Sequence, residues 1–236
     1  MSNSLSVVII SKNEEDFIGE AVKSAQFANE VIVLDSYSDD RTCEIAKKFG
    51  AKVFQKEWQG FGLQKNLAVS LASNDWVFVL DSDERITLQL KNEIISTLKA
   101  PLFDGYKIAR LNFFFGKNIK TCGLYPDYSI RLFSRLKGKF EDVPVHESVQ
   151  IIGDVSILKN HMNHLAYDNV EEFIEKQKKY AKLSTKEKSL VRSFIAPCWT
   201  FINLYIFKLG FLDGRHGFLI SKIYASYTYW KYSKKI

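Results

Sequence analysis

Four short apolar runs punctuate the first eighty residues, at positions 5–10 (LSVVII), 31–35 (VIVLD), 51–54 (AKVF) and 76–80 (WVFVL). Runs this short and this uniformly apolar read as strands buried on both faces. Between them the periodicity is helical. Phe17, Val22, Ala25 and Ala28 line one stretch, Asp39 and Asp40 can cap a helix over 41–49 that stops at Gly50, and Gly62 precedes a helix running to about residue 72. A further helix is expected over 88–98, ahead of Pro101. The resulting βαβαβαβ order calls for an α/β fold, a mostly parallel sheet with helices on both faces. From Tyr106 the pattern changes to strand-like pieces, YKIARLNFFF, SIRLF and residues 155–158, separated by loops that hold Gly116, Pro126, Gly138 and Pro144. This half is expected to complete the sheet and to shape a second pocket. Beyond His164 a charged amphipathic helix is expected over 168–186, followed by an aromatic tail.

With 236 residues, 46% of them apolar, the chain can bury one good core with an appendage. The short run 7–10 before Lys12 has no basic region ahead of it and no cleavage site, so it reads as neither signal peptide nor anchor, and a cytoplasmic location is expected. Cys43, Cys122 and Cys198 lie far apart without a C-x-x-C pair, which suits reduced, buried thiols better than disulfides or a zinc site. Charge is unevenly spread. Up to His164, 20 basic residues meet 21 acidic ones, whereas from Leu165 onward 13 basic residues meet 6 acidic. That surplus suits an anionic partner, lipid headgroup or nucleic acid, although a solvated helix face would look the same.

The tail has its own pattern. Residues 194–207 carry no charge but number only 14, short of the roughly 20 needed to span a bilayer, and they include Pro197, Trp199, Asn203 and Tyr205. Residues 218–232 interleave Ile220, Ile223, Tyr224, Tyr227 and Trp230 with Lys222 and Lys231. Aromatic apolar faces flanked by lysines predict an interfacial, monotopic membrane attachment. Packing against the sheet or a homodimer contact is the alternative.

Chemistry is concentrated at the run ends. Asp81-Ser82-Asp83-Glu84 closes the fourth run, so two carboxylates one residue apart stand where a buried strand meets solvent. In open α/β sheets ligands bind beyond the carboxyl ends of the strands. Hard oxygen ligands there suit Mg²⁺ or Mn²⁺ shared with a diphosphate. The alternative is an acidic turn capping the helix that starts near Thr87. Ser11-Lys12-Asn13-Glu14-Glu15 follows the first run and Asp35-Ser36-Tyr37-Ser38-Asp39 the second. No G-x-G-x-x-G, Walker A loop or G-x-S-x-G elbow is present, which removes the dinucleotide-binding, P-loop and hydrolase readings.

VVIISKNEE, VIVLDSYSDDRT, EWQGFGLQKNLA and WVFVLDSDE, in that order and spacing, resemble the glycosyltransferase family 2 pattern on the GT-A fold. YPDYSIRLF, VPVHESV and FLDGRHGF are similar to segments of small bacterial lipopolysaccharide-core glucosyltransferases, so the likeness spans nearly the whole chain. The resemblance implies a transferase domain over 1–164, with a nucleotide-sugar half (1–100) and an acceptor half (101–164), and a helical, basic and aromatic tail over 165–236. It implies inverting, metal-dependent transfer of a sugar, glucose from UDP-glucose, to a heptose of the lipopolysaccharide inner core on the cytoplasmic face of the inner membrane.

Under that resemblance Asn13 and Glu14 line the nucleoside pocket and Asp35, with Ser36 beside it, accepts a hydrogen bond from uracil. Asp35 as a plain turn residue and Lys65 as a solvated helix lysine are the alternatives. Lys65 otherwise meets an anionic or carbonyl group of the nucleotide. Asp83 holds the Mg²⁺ or Mn²⁺, Asp81 sits nearer the ribose or a metal-bound water, Ser82 lies between them, and His164 either adds a metal ligand or is simply packed. Inversion needs a carboxylate base on the acceptor side. Glu147 is the choice and Asp127 the rival, and either could instead pair with Arg131 or Arg135. Arg131 and His146 are assigned to the acceptor, with Arg135, Lys137 and Lys139 drawing an acidic one. Two other readings remain: a nucleotidyltransferase, which would want a glycine-rich basic loop after the first strand, and a non-catalytic basic protein binding nucleic acid or another anion. No nucleic-acid motif is present, so no such partner is expected. The sequence does not specify an oligomeric state.

Overall fold

The computed structural model describes residues 3–142, 148–184 and 189–233. The chain forms two compact units, one of Met1–Arg110 and Asp127–His164, the other of Leu111–Pro126 and Leu165–Ile236. In the first unit the elements run β1 (Leu5–Ser11), α1 (Ile18–Ala25), β2 (Glu30–Asp35), α2 (Thr42–Lys48), β3 (Lys52–Gln55), α3 (Phe61–Ser70), β4 (Trp76–Asp81), β5 (Glu84–Ile86) and α4 (Leu88–Thr97). The chain passes into the second unit within β6 (Gly105–Phe114), whose end pairs with β7 (Lys117–Ile119). It returns for β8 (Asp127–Ser134), β9 (Gly138–Phe140) and β10 (Val149–Ile151), and leaves again within β11 (Val155–Tyr167). The second unit then adds α5 (Val170–Leu183), α6 (Leu190–Ile202) and α7 (Arg215–Ser233).

The main sheet has the order β3-β2-β1-β4-β8-β6-β11-β5. β3, β2, β1 and β4 are parallel, as the βαβ alternation requires, while β8 joins β4 antiparallel and β5 joins β11 antiparallel. The two halves differ because the later strands are joined by loops, without the crossover helices that parallel pairing needs. Alternate residues of the central strands feed two cores. Val7, Ile9, Val31, Val33, Phe78 and Leu80 pack with Ile18, Val22, Leu90 and Ile94 of α1 and α4. Val8, Ile10, Ile32, Leu34, Val77 and Val79 pack with Ala68 and Val69 of α3. Helices therefore cover both faces, as expected.

Several elements differ from the sequence reading, among them the three-residue strands β7, β9 and β10, of which β9 begins at Gly138, expected in a loop. The strand expected over 155–158 runs on to Tyr167, because Met162, Asn163 and His164 find partners in Ile86, Arg85 and Glu84 of β5. β5 itself, three residues long, is too short to show a period. Thr87 caps α4 with its own side chain, accepting from the Leu90 N–H at 3.2 Å, so the DSD run is not that helix's cap.

At the amino edge of the sheet Glu30 is buried yet charged. It accepts hydrogen bonds from Ser6 Oγ (2.8 Å), Ser73 N–H (2.8 Å) and Ser73 Oγ (2.9 Å), and Lys52 Nζ stands 2.7 Å away. Burial works to raise its carboxyl, but Lys52 and the serine donors outweigh it and hold it at about 2.

In the second unit Phe114, Ile119, Cys122, Phe173, Ile220 and Ile223 form a separate core. Ile220 and Ile223 of α7, expected to face a membrane, are thus packing residues. Cys198, expected to be buried, is exposed on α6. Residues 194–207 were expected to be too short to span a bilayer; the helical segment that contains them is longer, because the apolar stretch begins at Leu190 and tolerates Arg192. Leu190–Phe207 is 18 residues long, and by length and composition it suffices to cross a membrane. The tail glycines are steric. A Cβ on Gly217 would lie 1.8 Å from the Gly210 carbonyl oxygen, and one on Gly210 would lie 2.8 Å from Cys122 Sγ.

Because the folded carboxyl of Glu30 is depressed, its contribution is complete above about pH 4.5 and fades as pH falls toward 2. Glu30→Gln should therefore lose about 3 kcal/mol of unfolding free energy at pH 7 and only about 1 kcal/mol at pH 3. Urea denaturation at the two pH values checks this, and an equal loss at both would contradict the assignment.

Candidate active site

Parallel register brings the chemistry together. Ser11 lies beside Asp35 and Ile10 beside Asp81, so the ends of β1, β2 and β4 form one edge. Asp35 is fully buried and accepts from Ser11 Oγ (3.2 Å), Ser38 N–H (2.8 Å), Ser38 Oγ and Gln55 Nε2 (3.3 Å). Burial alone would raise its carboxyl, yet the Ser38 donors lower it below the ordinary value. It anchors the loop after β2, where Tyr37 is held at φ 56° with an exposed ring. Asn13, at φ 55°, accepts from the Asp39 N–H at 3.1 Å, and the Glu14 N–H donates to Thr42 Oγ1 at 2.8 Å. Ser36 is buried and accepts from Gln64 Nε2 at 3.1 Å.

The DSDE run is a tight turn from β4 into β5. The Asp81 N–H donates to Glu84 Oε2 at 2.9 Å, closing it. Arg85 fastens it from outside through the carbonyls of Ser82 (2.7 Å), Glu84 (2.7 Å) and Phe17 (2.8 Å). Inside, Asp81 is gripped by two cations: Lys65 Nζ at 3.0 Å from Oδ1 and Arg131 Nη2 at 2.9 Å from Oδ2. Against the upward push of burial, Arg131 and Lys65 hold the Asp81 carboxyl well below the usual range. Arg131 is itself buried. Its Nη2 reaches Glu84 Oε1 at 2.6 Å and its Nε donates to Ser129 Oγ at 3.1 Å. Burial disfavours the guanidinium charge, but Asp81 and Glu84 more than offset it. Glu84 has no exposed surface, and burial pushes its carboxyl up despite Arg131.

Arg110 extends the cluster, with Nη1 3.8 Å from Glu84 Oε1 and both Nε (2.9 Å) and Nη2 on Asp127 Oδ2. Asp127 thus pairs with Arg110, not with Arg131 or Arg135. Lys65 reaches Asp81 from α3, which lies close to the strand behind it. A Cβ on Gly62 would stand 2.1 Å from the Glu141 carbonyl oxygen, and Asn66 brackets Phe140 with two hydrogen bonds of 2.9 Å.

Asp83 points elsewhere. Its Oδ2 lies 3.2 Å from His164 Nε2, and both side chains are partly open, at 34% and 20% exposure. The β5–β11 register, which pairs Glu84 with His164, places them side by side. No group of three His, Cys, Asp or Glu side chains among the described residues is arranged to hold a metal ion. A carboxylate and an imidazole nevertheless fit a divalent ion that takes one or two protein ligands and completes its shell with phosphate and water. Asp81 does not fit as found, since both its oxygens serve cations. Glu147 and His146 lie outside the described residues. Arg110 and Glu84 were not singled out from the sequence, although an arginine inside an apolar strand pattern, as in Ile108-Ala109-Arg110-Leu111, is a signal for a buried partner.

The Glycosyl transferase family 2 model matches residues 6–150. The chain belongs to glycosyltransferase family 2. An uncharacterized glycosyltransferase of Rickettsia typhi is 30% identical over 241 residues, covering 94% of this chain and 82% of that one. The lipopolysaccharide core biosynthesis glycosyltransferase LpsC of Rhizobium meliloti is 27% identical over 244 residues, covering 95% and 89%. Among solved structures, S. aureus TarS 1–349 aligns over 96% of this chain and 91% of its own with a TM-score of 0.52 at 17% identity, a likeness of fold. The family 2 enzyme thus has the GT-A fold, and membership decides against the nucleotidyltransferase and non-catalytic readings.

Arg131→Met should leave Glu84 and Asp81 short of a buried partner and cost about 3 kcal/mol of unfolding free energy. In a Glu84→Gln background the same change should cost clearly less. A double-mutant cycle by chemical denaturation checks it, and additive losses would remove the buried pair as the cause.

Proposed function

We propose that this enzyme is an inverting, metal-dependent transferase that moves glucose from UDP-glucose to a heptose of the lipopolysaccharide inner core, at the cytoplasmic face of the inner membrane. The observation that carries the reading is the Asp83–His164 pair, open at the strand tips beside an Asp81 already neutralised by Lys65 and Arg131. The relative named for lipopolysaccharide core biosynthesis supports the acceptor class. The donor assignment rests on the family resemblance of the strand-tip motifs.

Asp83 and His164 would hold the divalent ion, and the imidazole favours Mn²⁺ over Mg²⁺, which prefers oxygen ligands. When bound, the ion supplies positive charge against the departing diphosphate. Asn13, Glu14 and Ser36 frame the nucleoside, with Asp35 holding the Ser38 loop that shapes the pocket wall. Asp81 serves as the anchor that keeps Lys65 and Arg131, and through them the turn bearing Ser82 and Asp83, in position. Arg131 therefore acts from behind the donor site, while His146 is kept for the acceptor.

The acceptor oxygen attacks the anomeric carbon as the bond to the diphosphate breaks. UDP departs with the electron pair, the hydroxyl proton passes to a carboxylate, and the α-linked donor gives a β-linked product. Glu147 is that base. Asp127 Oδ2 already accepts two N–H groups from Arg110, which suits an anchor more than a proton acceptor.

Asp83→Asn should abolish Mn²⁺-dependent binding of UDP-glucose by calorimetry and lower turnover about 10²-fold or more, with the metal-free melting temperature unchanged. His164→Ala should raise the Mn²⁺ needed for half-maximal activity about tenfold. Full wild-type turnover in excess chelator would sink this assignment.

Glu147→Gln should keep donor binding and lose transfer by about 10²- to 10⁴-fold, the range for removal of a general base. Asp127→Asn should chiefly lower stability. Kinetics and melting curves of the two variants decide between them, and the opposite pattern would exchange their roles.

A further inference from the structure

Helix α6 wears its polarity inside out. Leu190, Val191, Phe194, Ile195, Trp199 and Ile202 of α6 face solvent, Phe194 at 68% exposure and Trp199 at 58%. The side turned inward is the hydroxylic one. Ser193 is buried, with Oγ donating to the Leu190 carbonyl at 2.7 Å, and Thr200 Oγ1 shares a 3.1 Å hydrogen bond with Thr228 Oγ1 of α7. A helix packed for water shows the reverse arrangement. Only 6% of Leu190–Phe207 is buried, and the apolar face continues past it at Phe211 and Leu212. An apolar patch of this extent marks a surface made for a partner.

Charge selects the partner. Between residues 189 and 233 the chain carries Arg192, Lys208, Arg215, Lys222 and Lys231 against a single acid, Asp213, which Lys117 holds at 3.1 Å. A segment with this excess of positive charge repels a second copy of itself and attracts an anionic surface. We propose that this face is a monotopic lipid-binding surface, with α6 lying in the headgroup plane of an anionic bilayer and its exposed apolar side chains entering the acyl boundary. It lies flat instead of spanning. Its length would just suffice to cross, but its apolar exposure is one-sided, with Ser193 and Thr200 on the opposite side. Its polar side is also bonded to α7, which carries Lys222 and Lys231. The proposal rests on the transferase reading for its purpose, since a lipid-borne acceptor is met at such a surface.

The test uses the full-length protein in vesicle flotation, with vesicles of phosphatidylcholine alone or with added phosphatidylglycerol, at low and high salt. Cys198 is the exposed thiol, next to Trp199, and in a Cys43→Ser background it takes an environment-sensitive dye while Cys122 stays buried. The protein should float with the anionic vesicles at low salt and less so at high salt. Phe194→Ser with Trp199→Ser should cut the bound fraction about tenfold or more. The dye should shift to the blue and be quenched more strongly by bromines placed near the headgroups than at the bilayer centre. UDP-glucose hydrolysis without vesicles should be equal for both proteins. Absent hydrolysis by either would count against the transferase reading and leave the lipid results standing. Equal flotation of the double variant, no flotation of the wild type at low salt, stronger quenching at the bilayer centre, or self-association through this face without lipid would overturn the proposal. Should the variant's melting temperature fall, the dye measurement on the unsubstituted face decides alone.

Discussion

One buried guanidinium organises the first unit. Arg131 arrives on β8, the first antiparallel strand beside the parallel set, and its charge is stable there only because Asp81 and Glu84 meet it from the β4–β5 turn. A charge removed from water must be matched by partners of good geometry, so the position of β8 and the shape of the acidic turn are each conditions for the other. Lys65 from α3 and Arg110 from β6 enter the same network. Helix, turn and two strands are thereby tied to one point, and Asp83 is left free of it, facing His164.

This division of labour within four residues explains a site that is both rigid and accessible. Asp81 and Glu84 look inward and hold the turn, and Asp83 looks outward to His164, the pair proposed to meet the ion. Their order on the chain follows from the tight turn, which reverses direction between Asp81 and Glu84 and leaves Ser82 and Asp83 at its apex. Glu30 meets the same physical demand at the opposite edge of the sheet, where Lys52 and serine donors hold another buried carboxylate in its charged form.

The tips of β1, β2 and β4 were legible in the sequence because each apolar run ends abruptly in polar residues, and a parallel sheet aligns such ends. The pairing of charges was not. Which cation meets Asp81 depends on β8 lying next to β4, and nothing local in SIRLF or DSDE specifies that neighbour. Arg131 was assigned to the acceptor for the same reason, whereas it is buried against Asp81 and Glu84, and β5 was too short to display a period. In the tail both apolar segments were expected at a membrane interface, and one of them is inside. Residues 190–207 and 218–232 are alike in composition, and only the packing of Ile220 and Ile223 with Phe114 and Phe173 separates the inner helix from the outer one.

That core has a bearing on how the protein can be taken apart. Its members come from two stretches of chain on either side of the β8–β10 segment, so the second unit is built from an insertion and a terminus together. Cutting the chain after α5 would strip Ile220 and Ile223 from Phe114, Ile119 and Phe173 and open a greasy wound in what remains. A shortened protein that clumps or sticks to vesicles would then be reporting that wound, whereas single exchanges on the outer side of α6 leave it closed.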